Sequence, residues 1–537
     1  MSGRYVLGYD VGTGGCKAVL ATMDGALVGS AFAPYSVRHP REHYAEQEPR
    51  DWWNGVCAST RELLEKTGTP PSDVAGLAFA SQMLGVLPMA EDGTPLRPAM
   101  IWMDCRAEEQ ARRVVRRLGG PRVMMQLFGA VASGKDVMCK IRWLADEEPA
   151  VFEKTRWFVD VKGYVVYRAT GRFVTDQTAA SVTGFMDNRT RDWSRLAPRL
   201  VGAGTDRMPV VTGSFEVVGG LTAGAAAEMG LAESTPVVSG MGDAPAGAVG
   251  AGALAHGESS ISIGTSGLLC IASSGRVKLG RSGMATIAAA DPSMWLVVGE
   301  TNTAGACLEW FADNLAKESE RTQGGGGGLM EVLDRAVETV PPGANRVIFA
   351  PWMYGERAPV TDTTLRGAFV NLALDNTRED MLRAVFEGVA MNFRWMFEVA
   401  AGKGLPCRKV RAIGGGAKSD TWMQIFADVT GRTVEAVEKP RDAGALGAAL
   451  AVPVALGVYD GIGAIKDVVR VRRSFEPDRG GRALRRAVRV VPRPARGVIA
   501  RLQEAQRAGL RASRGNAPSE CRRRGVRYAC TASQASP

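Results

Sequence analysis

Two aspartates and two glycine turns are the residues whose types and spacing suit chemistry. Asp10 stands in "YDVGTGG" and Asp243 in "SGMGDAPAG", each at the end of an apolar run. The Gly12-Thr13-Gly14-Gly15 turn has a second version at Gly264-Thr265-Ser266-Gly267, and each joins one β-type run to another: "YVLGY" to "CKAVLA", and "ESSIS" to "LLCIAS". Glycine lets backbone amides approach a ligand closely, and the Thr13, Thr265 and Ser266 hydroxyls add donors, so the pair suits a phosphate clamp. For either turn alone the plainer reading, a hairpin that binds nothing, stays open. Neither has the GxxxxGK[ST] spacing of a P-loop. Asp10 has the non-acidic Ser262 as its counterpart in the second turn. A carboxylate beside phosphates is unfavourable without a cation between them, so Asp10 reads as a Mg²⁺ holder, directly or through water. The competing reading is a turn aspartate bonded to its own backbone. Asp243 reads locally as the N-cap of a small-residue helix.

The elements that must position these residues are α/β in character. Residues 5 to 11, 16 to 21 and 26 to 32 predict three short strands joined by glycine turns. A helix is expected from about Arg50 to Lys66, a buried strand over 74 to 82 and a charged helix over 106 to 118, so strands alternate with helices. The repeated hairpin predicts a second domain beginning near residue 256, with two related halves facing one another across a cleft. "KVRAIGGGAKSDTWMQIFADVTG" (409 to 431) reads as a strand, a glycine loop and a helix starting near Ser419 or Asp420. Small residues at helical spacing in "DAGALGAALAV" read as close helix packing before ligand contact.

The chain has 537 residues, enough for two large domains. Its formal net charge of +10 is uneven: from residue 471 onward there are 17 arginines, no lysine and four acids, leaving a net −3 on the first 470 residues. The body therefore has an ordinary enzyme surface and no nucleic-acid partner is expected, with the basicity confined to a tail at 471–537 read as disordered and given no function. Nine scattered cysteines without a CxxC pair describe no disulfide framework. No signal-peptide pattern or membrane-length apolar run is present, so no membrane partner is expected and the expected location is the cytoplasm. The glycine run at 324 to 328 reads as a flexible loop.

With these motifs in place, the chain resembles the FGGY family of carbohydrate kinases, within the actin-like ATPase superfamily, and most closely the xylulokinase group. The similarity runs from about residue 4 to about 460. It is carried by "AEQEPRDWW", "ASQMLG", "PAMIWMDCR", "RDWS", "MGDAPAGAVGAG", "YGERAP", "IGGGAKSD" and "DAGALGAAL", besides the two hairpins. The resemblance implies an α/β protein of two ribonuclease-H-like domains around a central cleft, 1–253 for the sugar and the catalytic base and 254–465 for the nucleotide. It implies ATP and Mg²⁺ as cofactors, with a sugar as the small-molecule partner; a homodimer is the assembly to test.

By resemblance Asp243 is the base that accepts the proton of the attacking sugar hydroxyl. A helix N-terminus lowers a carboxylate's pKa, so Asp243 is expected to be a weak base that works by orientation, sufficient for a loose phosphoryl-transfer transition state. The nucleotide is expected on Gly12, Thr13, Lys17, Gly264, Thr265, Ser266, Gly414, Gly415 and Gly416, and the metal on Asp10. The sugar is expected on Gln82, Met83, Trp102, Asp104, Arg106 and Asp243. Trp102 reads equally as core, and Arg106 as half of a structural ion pair. Xylulokinases commonly carry Met-His where this chain has Met83-Leu84, which removes a polar partner and alters sugar preference. Three other readings compete: an FGGY kinase for another ketose, polyol or glycerol; a nucleotide switch of the actin and chaperone kind; and a nucleic-acid binder working through its arginine tail.

Overall fold

Apolar continuity, rather than alternation, marks the strands at the middle of each half, because helices cover both faces there. The structure is a computed structural model that describes residues 4–128, 131–323 and 328–478. Counting only strands of the two large sheets, the first half contains β1 (Tyr5–Val11), β2 (Gly15–Thr22), β3 (Leu27–Pro34), β4 (Val74–Ser81), β5 (Val217–Gly220) and β6 (Pro236–Gly242). The second contains β7 (Ser259–Ile263), β8 (Gly267–Ser273), β9 (Ala285–Ala288), β10 (Trp295–Thr301), β11 (Lys409–Ile413), β12 (Thr433–Val437) and β13 (Val471–Phe475).

The spatial orders are β5-β6-β4-β1-β2-β3 and β9-β10-β8-β7-β11-β12-β13. In each half two antiparallel pairings (β1 with β2 and β2 with β3; β7 with β8 and β8 with β10) are followed by two parallel ones. The parallel pairs are β1 with β4 and β4 with β6, answered by β7 with β11 and β11 with β12. An antiparallel strand closes each series, β5 on β6 and β13 on β12. The repeated hairpin of the sequence is therefore one corner of a repeated six-strand plan. The two turns are not identical: Val11 pairs with Cys16 across the first, whereas Ile263 pairs with Gly267 across the second, one residue tighter.

On one face of the first sheet lies α1 (Pro49–Thr67), which buries Trp52, Trp53 and Val56 against Leu7, Tyr9 and Phe79. The other face is covered by a helix from the second half, α5 (Ala443–Ala455), whose Ala445, Ala448 and Val452 join Val6, Ala78 and Val238. Conversely α3 (Asp243–Gly250) follows β6 of the first sheet but packs Ala244 and Ala248 on Cys270 and Leu296 of the second. The two helices cross at backbone contact. A Cβ placed on Gly250 would lie 1.8 Å from the Ala443 carbonyl oxygen, and one on Gly447 would lie 2.0 Å from that of Ala246. The small-residue stretches are thus close-packing devices. They also mean that the split near residue 253 separates the sheets but not the helices that cover them.

The strand at Val471–Phe475 corrects the expectation that disorder begins at residue 471. Arg472 and Arg473 both reach Asp420, at 2.5 and 2.6 Å, and the strand extends the second sheet. The rest of the expected tail, 479–537, and residues 324–327 of the glycine run lie outside the described residues. Among the described residues no helix is long and apolar enough to cross a membrane.

Substitution at the crossing tests this account. Gly250→Ala forces the two backbones apart and is expected to destabilise the chain by about 2 kcal/mol or more, read as a lower melting temperature. Gly224→Ala, on a short helix with open space at the Cβ position, should be neutral or raise it slightly. Equal effects at the two positions would refute the crossing as a constraint.

Candidate active site

The parallel strands end together, at Val11, Ser81 and Gly242 in one half and Ile263, Ile413 and Val437 in the other. Residues just beyond those ends are where α/β sheets bind ligands. In the first turn the Gly12 amide donates to the Gly15 carbonyl (3.0 Å), and the Gly12 carbonyl accepts from Tyr35 Oη and Gln82 Nε2. Thr13 Oγ1 accepts from the Trp102 indole (2.9 Å) and faces Gln82 Oε1 at 3.4 Å. The second turn rests on α4 (Gly305–Leu315): the amides of Ala304 and Ala306 both donate to the Thr265 carbonyl. The amides of Thr13, Gly14, Thr265 and Ser266 have no protein acceptor among the described residues. Two pairs of open N–H groups are thereby offered from opposite halves, the arrangement that suits a polyphosphate.

Lys17 ties the halves together, its Nζ donating to the Arg441 carbonyl at 2.6 Å and standing 3.4 Å from Asp442. The Gly414 amide donates to the Pro440 carbonyl, so the glycine loop and Lys17 share one support. Gly414 has φ +85°, and a Cβ there would lie 2.7 Å from the Ile263 carbonyl oxygen at the foot of the second turn. Gly416 makes room for the Ile263 side chain. A cavity of about 530 Å³ opens beside Lys17, lined also by Lys66, Lys418, Lys439 and Arg441 against Glu62 and Asp442. Its cationic excess favours an anion, but it is lined by neither Asp243 nor the turn residues.

Asp10 pairs across the hairpin with Lys17, and its Oδ2 lies where any side chain at Gly444 would have to go, 2.7 Å from a Cβ there. Its Oδ1 is buried without a hydrogen-bond partner. Burial raises the Asp10 pKa and the Lys17 charge lowers it, with a net rise. A buried, unpartnered carboxylate oxygen is costly unless a cation or donor meets it, so the residues present fit a divalent ion. Among the described residues no group of three or more potential ligands surrounds that spot. The chain would therefore supply one carboxylate, with phosphate and water oxygens completing the shell, as Mg²⁺ prefers.

Asp243 is the first residue of α3 rather than its N-cap, which is Gly242. The Gly242 amide is held by Thr178 Oγ1 at 2.8 Å, and Asp243 Oδ1 accepts from the Ala244 amide at 2.8 Å. The expected low pKa is corrected. Desolvation by the surrounding protein, then the Asp10 charge, then that of Glu300, pushes Asp243 up to about 7, outweighing the Ala244 amide. Water reaching its exposed side chain moderates the rise. It is a better base than its place on a helix suggested.

The sugar-site candidates divide. Met83 lies against Gly242, the residue before Asp243, and Trp102 reaches the first turn through Thr13. Gln82 is buried beneath the first turn, bonded to Gly12, Gln47 and Thr13. Asp104 accepts from the Ala45 amide and from Arg106, whose guanidinium also pairs with Glu46 at 2.6 Å and stacks on Tyr44 at 3.7 Å. Asp104 and the Arg106 side chain are closed off from solvent, so the structure displays the ion-pair alternative for Arg106 and gives these three residues supporting positions.

Sequence reading missed Lys140, buried in α2 (Val137–Glu147), which donates to the carbonyls of Leu84 (3.0 Å) and Ile101 (2.7 Å). It fixes the turn after Met83 and the residue before Trp102, and burial pushes its pKa down to about 8. A lysine on the apolar side of "VMCKIRWL" was the available signal. Glu300, ion-paired with Arg357, belongs to no motif that pointed to the base.

This is the two-domain fold of the actin-like ATPase superfamily, with a glycine turn at the matching corner of each half. The FGGY family of carbohydrate kinases matches through its N-terminal domain at residues 5–250 and its C-terminal domain at 259–456. The chain belongs to that family and is a carbohydrate kinase. It is 29% identical to a xylulose kinase of Bacillus subtilis (strain 168) over 459 residues, covering 86% of this chain and 90% of that protein. It is equally 29% identical to a gluconokinase of the same organism, over 87% and 90% of the two chains. The solved xylulose kinase of Rhodospirillum rubrum superposes with a TM-score of 0.79 at 27% identity, over 95% and 99% of the two chains.

A raised carboxylate pKa has a consequence for stability. The native state holds the Asp243 proton more tightly than the unfolded chain does, so its contribution to stability falls as pH rises from the ordinary 3.8 towards about 7, and stays low above. Asp243→Asn keeps the acceptor oxygen, and its melting temperature should exceed wild type by about 1–3 °C more at pH 8 than at pH 4.5. A gap independent of pH, measured by calorimetry, would contradict the raised pKa.

Proposed function

We propose that the chain transfers the γ-phosphoryl group of ATP to a hydroxyl of a small sugar, with a pentulose such as D-xylulose as the leading acceptor. The observation that carries this reading is the water-accessible Asp243 carboxylate, its pKa raised, beside the unpartnered Oδ1 of Asp10 and the open amides of the two turns. In this reading the Thr13–Gly14 and Thr265–Ser266 amides hold the phosphates, with Lys17 and the Gly414–Gly416 loop at the nucleotide. Asp243 accepts the proton of the attacking hydroxyl; Met83 and Trp102 position the sugar, with Gln82, Lys140 and the Asp104–Arg106 pair holding that wall. Asp10 would hold Mg²⁺, which when bound offsets charge on the phosphates. Closure of the halves would exclude water and align the hydroxyl with the phosphorus.

Pentulose preference is favoured by similarity to xylulose kinases, while equal identity to a gluconokinase keeps sugar acids in contention. Leu84 departs from the usual histidine and stands at φ +62°, a conformation histidine adopts more readily than leucine. Leu84→His should therefore fold well and shift acceptor preference.

ADP release with Mg·ATP is the test, over pentuloses, hexuloses, D-gluconate, polyols and glycerol. Sugar-stimulated turnover should fall by a factor of roughly 10³ in Asp243→Ala while ATP affinity stays within about threefold. ATP binding with no acceptor-stimulated turnover in wild type would overturn the kinase reading in favour of a nucleotide switch.

A further inference from the structure

Lys135 precedes α2 in "SGKD", a stretch outside every motif considered so far. Its loop is rigidly set. The Ser133 amide donates to Asp136 Oδ2 (2.7 Å), the Gly134 amide donates to Glu108 Oε2 (3.0 Å), and a Cβ on Gly134 would lie 2.6 Å from the Cys105 carbonyl oxygen. That support sends the Lys135 ammonium over the Trp102 ring, 5.7 Å from its centre.

Two routes link this loop to the surroundings of Asp243. Trp102 reaches the first turn through Thr13. Asp136, next in chain to Lys135, feels the charge of Arg357 from the second half. Arg357 pairs with Glu300, and Glu300 in turn acts on Asp243. One hydrogen bond, one ion pair and two charge–charge interactions thus lead from Lys135 and its neighbours to the first turn and to the ground around Asp243. The remaining cations around it are engaged: Lys17 with Asp442, Arg357 with Glu300, Lys140 with two carbonyls. Lys135 has no carboxylate partner among the described residues, although it is half-buried.

We infer that Lys135 is a substrate-binding residue that donates to an acceptor oxygen other than the attacking hydroxyl, which faces Asp243. It thereby sets the preference between a neutral ketose and a sugar acid. This rests on the kinase reading above. An unpaired ammonium gains more from a carboxylate than from a hydroxyl, so Lys135 raises the standing of sugar acids as acceptors without excluding the pentulose.

The test is calorimetric titration of D-xylulose and D-gluconate into the full chain as wild type, Lys135→Met and Lys135→Arg, with KM and kcat for whichever acceptor turns over. Lys135→Met should weaken the better-bound acceptor by roughly ten- to hundredfold, and D-gluconate by a larger factor than D-xylulose. Lys135→Arg should restore part of the loss, while KM for ATP, kcat and the melting temperature change little. Unchanged acceptor affinity and KM in Lys135→Met would overturn the inference and leave the kinase intact. Failure of wild type to bind either compound would overturn it as well. Lys135-dependent binding without turnover would keep the lysine's role and sink the kinase reading instead.

Discussion

The architecture depends on one steric constraint, the backbone-to-backbone crossing of α3 and α5. Each helix leaves its own sheet and covers the other, and Gly250 and Gly447 bring the two axes to contact at which a methyl group does not fit. Because α3 begins at Asp243 and α5 begins beside Asp10, this crossing also fixes the separation of the two acids. Rigid docking of sheet against helix would put the acids anywhere; only close approach puts them within electrostatic reach of each other.

That proximity is unfavourable in the free chain. Asp10, Asp243 and Glu300 crowd one region, and the nearest cations, Lys17 and Arg357, already have partners. Asp243, so placed and desolvated by the protein around it, holds its proton to higher pH than an isolated carboxylate would. A polyphosphate with its metal would bring positive charge to Asp10 and amide-bound oxygens to the turns, relieving the first acid while leaving the second facing the acceptor. Stability and reactivity are thus opposed at Asp243, a common sign that a group has been placed for chemistry.

Local signals made much of this readable. The hairpins announced themselves through glycine turns between apolar runs, and β1, α1 and β4 fall within a residue or two of expectation because periodicity and capping are short-range properties. The basicity of Asp243 was hidden because it is set first by the protein that folds around it and then by Asp10 and Glu300, all remote in sequence. "DCR" announced an acid and a base two residues apart, but only the fold shows that Tyr44 and Glu46 enclose them. Lys135 and Lys140 carry no motif; their meaning comes from which carbonyls and rings the loop and helix meet. The strand at Val471–Phe475 was masked by its arginines, which read as tail until Asp420 is seen to receive two of them.

That last strand also has a bearing on where the folded body ends. β13 covers the open edge of β12 as β5 covers that of β6, so each half finishes its sheet with a reversed strand. An uncovered parallel strand presents a ladder of unmet donors and acceptors to any passing chain, and self-association follows. The arginine-rich composition after residue 470 therefore conceals a boundary between two physical roles. Its first few residues protect the sheet from adding another molecule's strand. A shortened protein should be cut beyond residue 478 rather than at 470, or the loss of an edge guard will be mistaken for the loss of a function.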